Sequence, residues 1–384
     1  MEILRRLYLY RIMHGPSSYI VAVEMVQFKN FTQAAFAFSP GINLIVGPNG
    51  AGKTNLLDAV HYLSMTKSYF SATDQPLIQY GKEGFRLEGK WYQHEAEHQL
   101  VCVVREGTKK EFRVNDIPYP RLAAHIGRFP VVMIAPDDVQ MITGGSEERR
   151  KWLDMLLSQL SGDYLLHLVA YHKILSQRNQ LLRRWVEQPS SHVHDLLDTY
   201  DKQWIPHAEA IFQYRQQICA QLIPLTTQFY IHLSGNKEHI QLQYQSQLHE
   251  KPFAEWLREQ RKLDLQIGRS SVGIHKDDLQ FLLNGYPVKI HGSQGQRKSF
   301  LLALKFAQHQ LIVKQKGIIP VLMLDDIFDR LDPKRIQLLL SLIRLEGFGQ
   351  VLITDTDPER LTAHLPPSST SVNWIQLTYP LQGA

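Results

Sequence analysis

The sequence predicts an α/β protein: a mixed, largely parallel sheet with crossover helices, an antiparallel β-subdomain, and an inserted, mostly helical second lobe. Three observations predict it. The apolar run GINLIV at 41–46 leads straight into a glycine-rich loop, and then into a helical pattern with Leu56, Leu57, Val60 and Leu63 on one face. Late in the chain, strand and helix patterns alternate, as parallel strands joined by crossovers require. Between these two halves lies a long stretch of helical periodicity.

The elements follow in order. Residues 1–19 form an N-terminal extension, in which Arg5 and Arg6 precede only Leu7, Tyr8, Leu9 and Tyr10. That run falls short of the roughly 7–15 apolar residues of a signal peptide. The first head segment, 20–145, opens with IVAVEMVQF at 20–28 as a strand and AFAF at 35–38 as its partner. Within 84–115, FRLEGKWYQ, HQLVCVVRE and KEFRVN read as an antiparallel meander, and VVMIA at 131–135 is a strand stopped by Pro136, Asp137 and Asp138.

The helical lobe is read as 146–265. Ser146 is its expected N-cap, with Glu147 and Glu148 in the first turn facing the positive helix end. Trp152, Leu153, Leu156, Leu157 and Leu160 carry the helical pattern onward toward Trp185. A second helix is expected from Asp195 to Leu222, kinked at Pro206 and ended by Pro224, and a third from Phe253 to Leu263. The second head segment, 266–384, holds a strand at 279–285, a helix from Gln296 to Lys314, a buried strand IIPVLML at 318–324, a helix from Pro333 to Leu345 and a strand at 349–354.

Composition narrows the class. Of 384 residues, 44% are hydrophobic and 21% charged, enough to bury a core and unlike a disordered chain. The two cysteines, Cys102 and Cys219, exclude a disulfide scaffold and a four-cysteine zinc site, and fit a reducing cytosol. No apolar run reaches the roughly 18 residues of a membrane span, so a soluble, cytoplasmic protein is expected. The net charge of +5 permits contact with nucleic acid without requiring it.

Two motifs carry the chemistry. Gly47-Pro48-Asn49-Gly50-Ala51-Gly52-Lys53-Thr54 matches the phosphate-binding pattern G-x-x-x-x-G-K-[ST] at every position. Glycines turn successive N–H groups toward one phosphate chain, and the following helix adds its positive end. Lys53 reaches the β- and γ-phosphates, and the Thr54 hydroxyl ligates Mg2+. The second motif, Val321-Leu322-Met323-Leu324-Asp325-Asp326, is an apolar strand ending in acids. Asp325 is the expected Mg2+ partner, and Asp326 is placed to polarise the attacking water. ATP and Mg2+ are therefore the expected ligands, with Lys53 and Asp326 as catalytic residues.

A third segment, Ser293-Gln294-Gly295-Gln296-Arg297, resembles the S-G-G-Q signature of the ABC ATPases, with Gln294 in place of the first glycine. The head is thus similar to a P-loop ATPase of ABC type. In that superfamily the signature contacts the γ-phosphate held by the opposite subunit. The same residues also read as an ordinary helix N-cap.

Nearly the whole chain, about 21 to 358, resembles the RecF proteins. Phe28-Lys29-Asn30-Phe31 is similar to their N-F-R opening, and Asn49 to Ala59, through Asn55, to their phosphate loop and first helix. Lys67-Ser68-Tyr69-Phe70 is close to K-S-F-R, and Ala135-Pro136-Asp137-Asp138 to A-P-E-D. Arg149-Arg150-Lys151-Trp152-Leu153-Asp154 resembles R-R-x-[FW]-[LI]-D, and His275-Lys276-Asp277-Asp278 resembles P-H-R-D-D. Leu324 to Asp332 resembles L-D-D-V-x-S-E-L-D. Departures are Lys276 for Arg, Ile274 for Pro, Asp329 for Ser and Arg297 for Gln. Thr354 and Asp355 stand where many ABC ATPases carry a switch His.

The resemblance implies a weak ATPase of DNA replication and recombinational repair, acting in the response to DNA damage (the SOS response included). It implies contact with single- and double-stranded DNA at gaps, ATP-dependent homodimerisation, and cooperation with RecR and RecO in loading RecA. It also implies roles for Ser293, Gly295 and Gln296 at the partner's nucleotide. Arg149, Arg150 and Lys151 are DNA-contact candidates through the resemblance, although each basic cluster, including those around Arg178, Arg183 and Arg184 and around Arg258, Arg261 and Lys262, also reads as a solvated helical face. Trp152, Trp185, Trp204 and Trp256 read as packing residues. Gln79, Asp137 and Asp138 are candidates for a Q-loop position.

Two other classes share these motifs. In a transporter ATPase the phosphate loop and signature usually lie about half as far apart as Lys53 and Ser293. An SMC-like arm would need heptads over hundreds of residues, and this insert contains Pro189, Pro206 and Pro224.

Overall fold

Four short apolar runs and a fifth, partly exposed strand pair in parallel to make the sheet that carries the phosphate loop. In the computed structural model, which describes residues 18–189, 192–235, 238–328, 333–345, 347–359 and 372–379, the chain divides into two compact units. A head takes Met1–Asp138 and Lys305–Ala384, and a lobe takes Val139–Leu304.

The head begins with β1 (Ser18–Phe28), β2 (Phe31–Ala37) and β3 (Ile42–Val46), followed by helix α1 (Lys53–Met65). Next come β4 (Gly84–Gln93), β5 (Ala96–Arg105), β6 (Glu111–Val114), β7 (Ile117–Pro118) and β8 (Val131–Ile134). The lobe contains α2 (Val139–Thr143), α3 (Ser146–Leu160), α4 (Gly162–Glu187), α5 (Val193–Ser234), β9 (Ile240–Gln245), α6 (Phe253–Ile267), β10 (Asp278–Leu283), β11 (Tyr286–Pro287) and α7 (Val288–His291). Helix α8 (Gln294–Lys316) begins in the lobe and ends in the head, which continues with β12 (Val321–Asp325), α9 (Pro333–Leu345), β13 (Val351–Asp355) and β14 (Val372–Gln376).

The central head sheet has the order β14-β3-β13-β12-β8, with every pair parallel. Strands β8, β12 and β13 are buried at every position, which explains their unbroken apolar sequence. The second head sheet, β2-β1-β4-β5-β6-β7, is antiparallel. Helix α1 packs so tightly on it that a Cβ at Gly89 would lie 2.7 Å from the Leu63 side chain.

The lobe joins its helices to a small antiparallel sheet, β11-β10-β9. Two buried arginines tie its elements together. Arg178 of α4 pairs with Asp201 of α5 at 2.8 Å and with Asp264 of α6 at 2.7 Å. Arg215 of α5 pairs with Asp154 at 2.7 Å and Asp277 at 2.8 Å.

Several expectations change. The compact lobe runs from 139 to 304, wider than the expected 146–265, because β10 pairs with β9 and Asp277 is bound to Arg215. Helix α5 runs 42 residues through both Pro206 and Pro224. Proline removes the bond to the carbonyl four residues back, and both prolines, with Lys202 and Ala220 four residues before them, lie on the exposed face of the helix. The residue capping α3 is Gly145, and Ser146 is the first helical residue. Of the expected extension 1–19, Ser18 and Tyr19 open β1, and residues 1–17, like Ser190-Ser191 and Asp329 to Asp332, lie outside the described residues. Trp152 and Trp204 are buried packing residues, as expected.

Candidate functional site

Strand β3 ends at Val46, and the loop that follows delivers the chain to the N-terminus of α1. Gly52, at φ 105, is the left-handed N-cap of that helix, and no side chain caps it. A Cβ at Gly52 would fall 2.6 Å from the Phe31 ring and 2.7 Å from Asn30 Nδ2, so only glycine fits. Pro48, Asn49 and Gly50 are exposed. The uncapped first-turn N–H groups therefore face an open rim, the arrangement that receives an anion.

Lys53 is 7% exposed, and its ammonium donates to the carbonyls of Gly47 at 2.7 Å and Pro48 at 3.0 Å. Burial pulls its pKa below the ordinary lysine range, while Asp326, Asp325 and Asp355 push it back up. One cation thus faces three carboxylates.

The acids are set by sheet register. Asp325 stands opposite Thr354 in the parallel pair of β12 and β13. The Thr354 hydroxyl donates to Asp325 at 2.8 Å and accepts the Asp326 N–H at 2.9 Å. The Thr54 hydroxyl lies against both oxygens of the same carboxylate, 2.9 Å from Oδ2 and 3.0 Å from the Oδ1 that Thr354 also reaches. Burial raises the Asp325 pKa, opposed by the bonds from Thr354 and Thr54. Asp326 sits at φ 47, a conformation non-glycine residues seldom adopt, and its Oδ1 is buried without a hydrogen-bond partner. These oxygens fit a hard divalent cation. Thr54 and Asp325 would hold Mg2+, which supplies positive charge to the phosphate oxygens.

Asn55, expected at the nucleotide, donates to Asn30 at 2.7 Å and so ties α1 to the β1–β2 turn. Lys29 in the same turn pairs with the buried Asp58 of α1 at 2.6 Å. Asp58 also accepts from the Ser68 hydroxyl and the Tyr69 N–H, each at 2.7 Å. A cleft of about 640 Å³ lined by Phe38, Pro40, Gly41 and Val372 lies at the opposite, N-terminal ends of β3 and β14.

Comparison with known proteins agrees with this geometry. The family described as "RecF/RecN/SMC N terminal domain" matches residues 19–364. The DNA replication and repair protein RecF of Flavobacterium johnsoniae is 40% identical over 341 residues, covering 89% of this chain and 95% of that protein. The RecF of Azobacteroides pseudotrichonymphae is 41% identical over 343 residues, covering 89% and 93%. The chain belongs to the RecF family. Its structure is also similar to that of the recombination mediator protein RecF-ATP of the RecFOR pathway, with a TM-score of 0.82 and 29% identity over 90% of this chain and 94% of that one. A Smc head domain from Pyrococcus furiosus, with a TM-score of 0.53 and 16% identity, shares the fold.

The RecF-type signature lies in the lobe. Ser293 Oγ accepts the Gln296 N–H at 3.2 Å, and Gln296 Oε1 accepts the Ser293 N–H at 2.6 Å. This reciprocal pair is a capping box, which bears out the ordinary N-cap reading. Gln296 further donates to Glu238 at 2.7 Å, anchoring the segment to the residues that lead into β9. Ser293 and Gln294 are exposed, whereas Gly295 and Gln296 are half-buried.

The RecF-type basic motif is arranged differently from expectation. Arg149 donates from Nε and Nη2 to the two carboxylate oxygens of Asp278, at 2.6 and 3.0 Å, and from Nη1 to the Met141 and Gly144 carbonyls. Arg150 donates to the Asp277 carbonyl at 2.7 Å. Lys151 is exposed and pairs with Glu147 and Glu148. Of the Q-loop candidates, Gln79 donates to Thr32 at 2.9 Å, Asp138 pairs with Lys305 at 3.0 Å, and Asp137 is exposed.

Proposed function

We propose that this chain is an ATP-gated DNA-binding protein of replication and recombinational repair. ATP bound at 47–55 joins two copies into a homodimer that holds DNA at gaps, and hydrolysis opens it. The carrying observation is the group formed by Lys53, Thr54, Asp325, Thr354 and Asp326 at the end of the parallel sheet. It combines an anion cradle, a place for Mg2+ and a carboxylate with an uncommitted oxygen.

In this reading Lys53 and the loop N–H groups bind and orient the phosphates. Asp325 and Thr54 keep the cation in register. Asp326 polarises the attacking water, and Thr354 fixes both acids by bonding to each. Ser293, Gly295 and Gln296 meet the γ-phosphate of the partner copy, where a hydroxyl and a helix N-terminus favour a dianion. RecR and RecO are partners by family membership. DNA phosphates are met by exposed cations of the lobe, among them Arg183, Arg184, Lys262 and Lys151, since Arg149 and Arg150 are held by internal bonds.

Asp326→Asn tests the catalytic assignment. The amide keeps the shape but takes no proton, so ATP still binds while hydrolysis falls by roughly 10²–10⁴-fold. Steady-state ATPase assays beside calorimetric ATP titration separate the two effects. Wild-type turnover in the variant would assign the base elsewhere.

A further inference from the structure

Strand β14 pairs in parallel with β3 up to Gln376 opposite Val46. The ladder then continues by one bond, from the Leu377 N–H to the Val46 carbonyl at 2.7 Å. Val46 immediately precedes the phosphate loop, so this register carries 377–379 alongside it. The approach is close: a Cβ at Gly47 would lie 2.4 Å from the Leu377 carbonyl oxygen. Leu377 is buried and anchors the segment. Two residues on, the Tyr379 ring stands 3.8 Å from where a Cβ at Gly50 would be. That ring is 61% exposed. Its place, and not its exposure alone, is what matters: the ring flanks a cradle for a ligand that carries a flat base.

We propose that Tyr379 belongs to the nucleotide site, its ring packing against the purine of the ATP whose phosphates the loop holds. The proposal rests on reading 47–54 as an ATP site. It concerns a residue beyond 364, where the family match ends. Stacking is tolerant of base identity because every base presents a π-face. Tyr379 therefore adds affinity for nucleotides over bare polyphosphate and does not distinguish ATP from GTP.

The test is calorimetric titration of the full chain with ATP, GTP and inorganic tripolyphosphate, for the wild type, Tyr379→Ala and Tyr379→Phe. Tyr379→Ala is expected to bind ATP and GTP about ten-fold more weakly and tripolyphosphate as the wild type does. Tyr379→Phe is expected to match the wild type throughout. Unchanged ATP affinity in Tyr379→Ala overturns the proposal. So does an equal loss for tripolyphosphate, which would place the ring's effect on the loop itself. A phenylalanine variant as weak as the alanine variant would assign the effect to the hydroxyl and overturn stacking. If the wild type binds neither ATP nor tripolyphosphate, the underlying ATP reading fails instead.

Discussion

The Lys53 ammonium is held by two carbonyls of its own loop, those of Gly47 and Pro48, and faces the acids at the ends of β12 and β13. Methionine keeps much of the stem and removes the charge. Lys53→Met is therefore expected to lose ATP binding in calorimetric titration, and wild-type affinity would contradict the phosphate-loop assignment. The loop, Lys53, Thr54, Asp325 and Asp326 were all legible in the sequence, because motif spacing and an apolar strand ending in acids report them directly. Thr354 was legible only as a residue standing where a switch His often does. Its bonds to Asp325 and to Asp326 exist because β12 and β13 pair in one particular register, which periodicity does not reveal. Lys29 and Asn30 were visible as part of a family motif, but their contacts to Asp58 and Asn55 depend on how the β1–β2 turn meets α1.

At the scale of elements, apolar runs marked β3, β8, β12 and β13 well, since strands buried on both faces need little else, whereas the half-exposed β14 went unread. Strand β9 went unread, although Ile240, Leu242 and Tyr244 alternate with glutamines. It lies inside a stretch dominated by helical periodicity, and its partner β10 is more than thirty residues away. The prolines of α5 misled for a related reason: that both stand on the exposed face of the helix is a tertiary property. Basic residues misled in the same way. Arg178 reads as surface charge but is wholly buried between α4, α5 and α6, bonded to Asp201, Asp264 and Ser270. Arg178→Met leaves the buried Asp264 without its cation, while Asp201 keeps Arg261 at 2.8 Å, so a loss of roughly 3–5 kcal/mol is expected in urea unfolding. A loss under about 1 kcal/mol would show that this network does not hold the lobe.

Across the whole molecule, three buried histidines and the half-buried His275 link stability to pH. Burial lowers His61, His125 and His309 to about 4 and His275 to about 3. In the unfolded chain each titrates near 6.5. Between those values the unfolded state binds protons that the folded state does not, so stability rises with pH. Stability is therefore full above about pH 6.5 and is lost as pH falls through that window toward 4. Urea midpoints measured from pH 8 to 4 at constant ionic strength check this, and a flat profile between 6.5 and 4 would contradict it. Among the described residues no helix is long and apolar enough to cross a membrane. The phosphate loop and both acids belong to the head, and the exposed Ser293 belongs to the lobe.

The central claim is that ATP joins two chains through that signature and that the pair holds DNA. Two copies related by a two-fold would enclose both nucleotides at one isologous interface and double the phosphate contacts to DNA. Sedimentation of the wild type and Ser293→Arg with ATP, ADP or neither, with duplex DNA titrated at two salt concentrations, measures this directly. The wild type is expected to dimerise with ATP alone and to bind DNA more tightly, and with a steeper salt dependence, than it does with ADP. Ser293→Arg is expected to bind ATP, remain a monomer and lose the tight DNA binding. A Ser293→Arg chain that still dimerises with ATP, or wild-type DNA affinity that is equal with ATP and ADP, would contradict it.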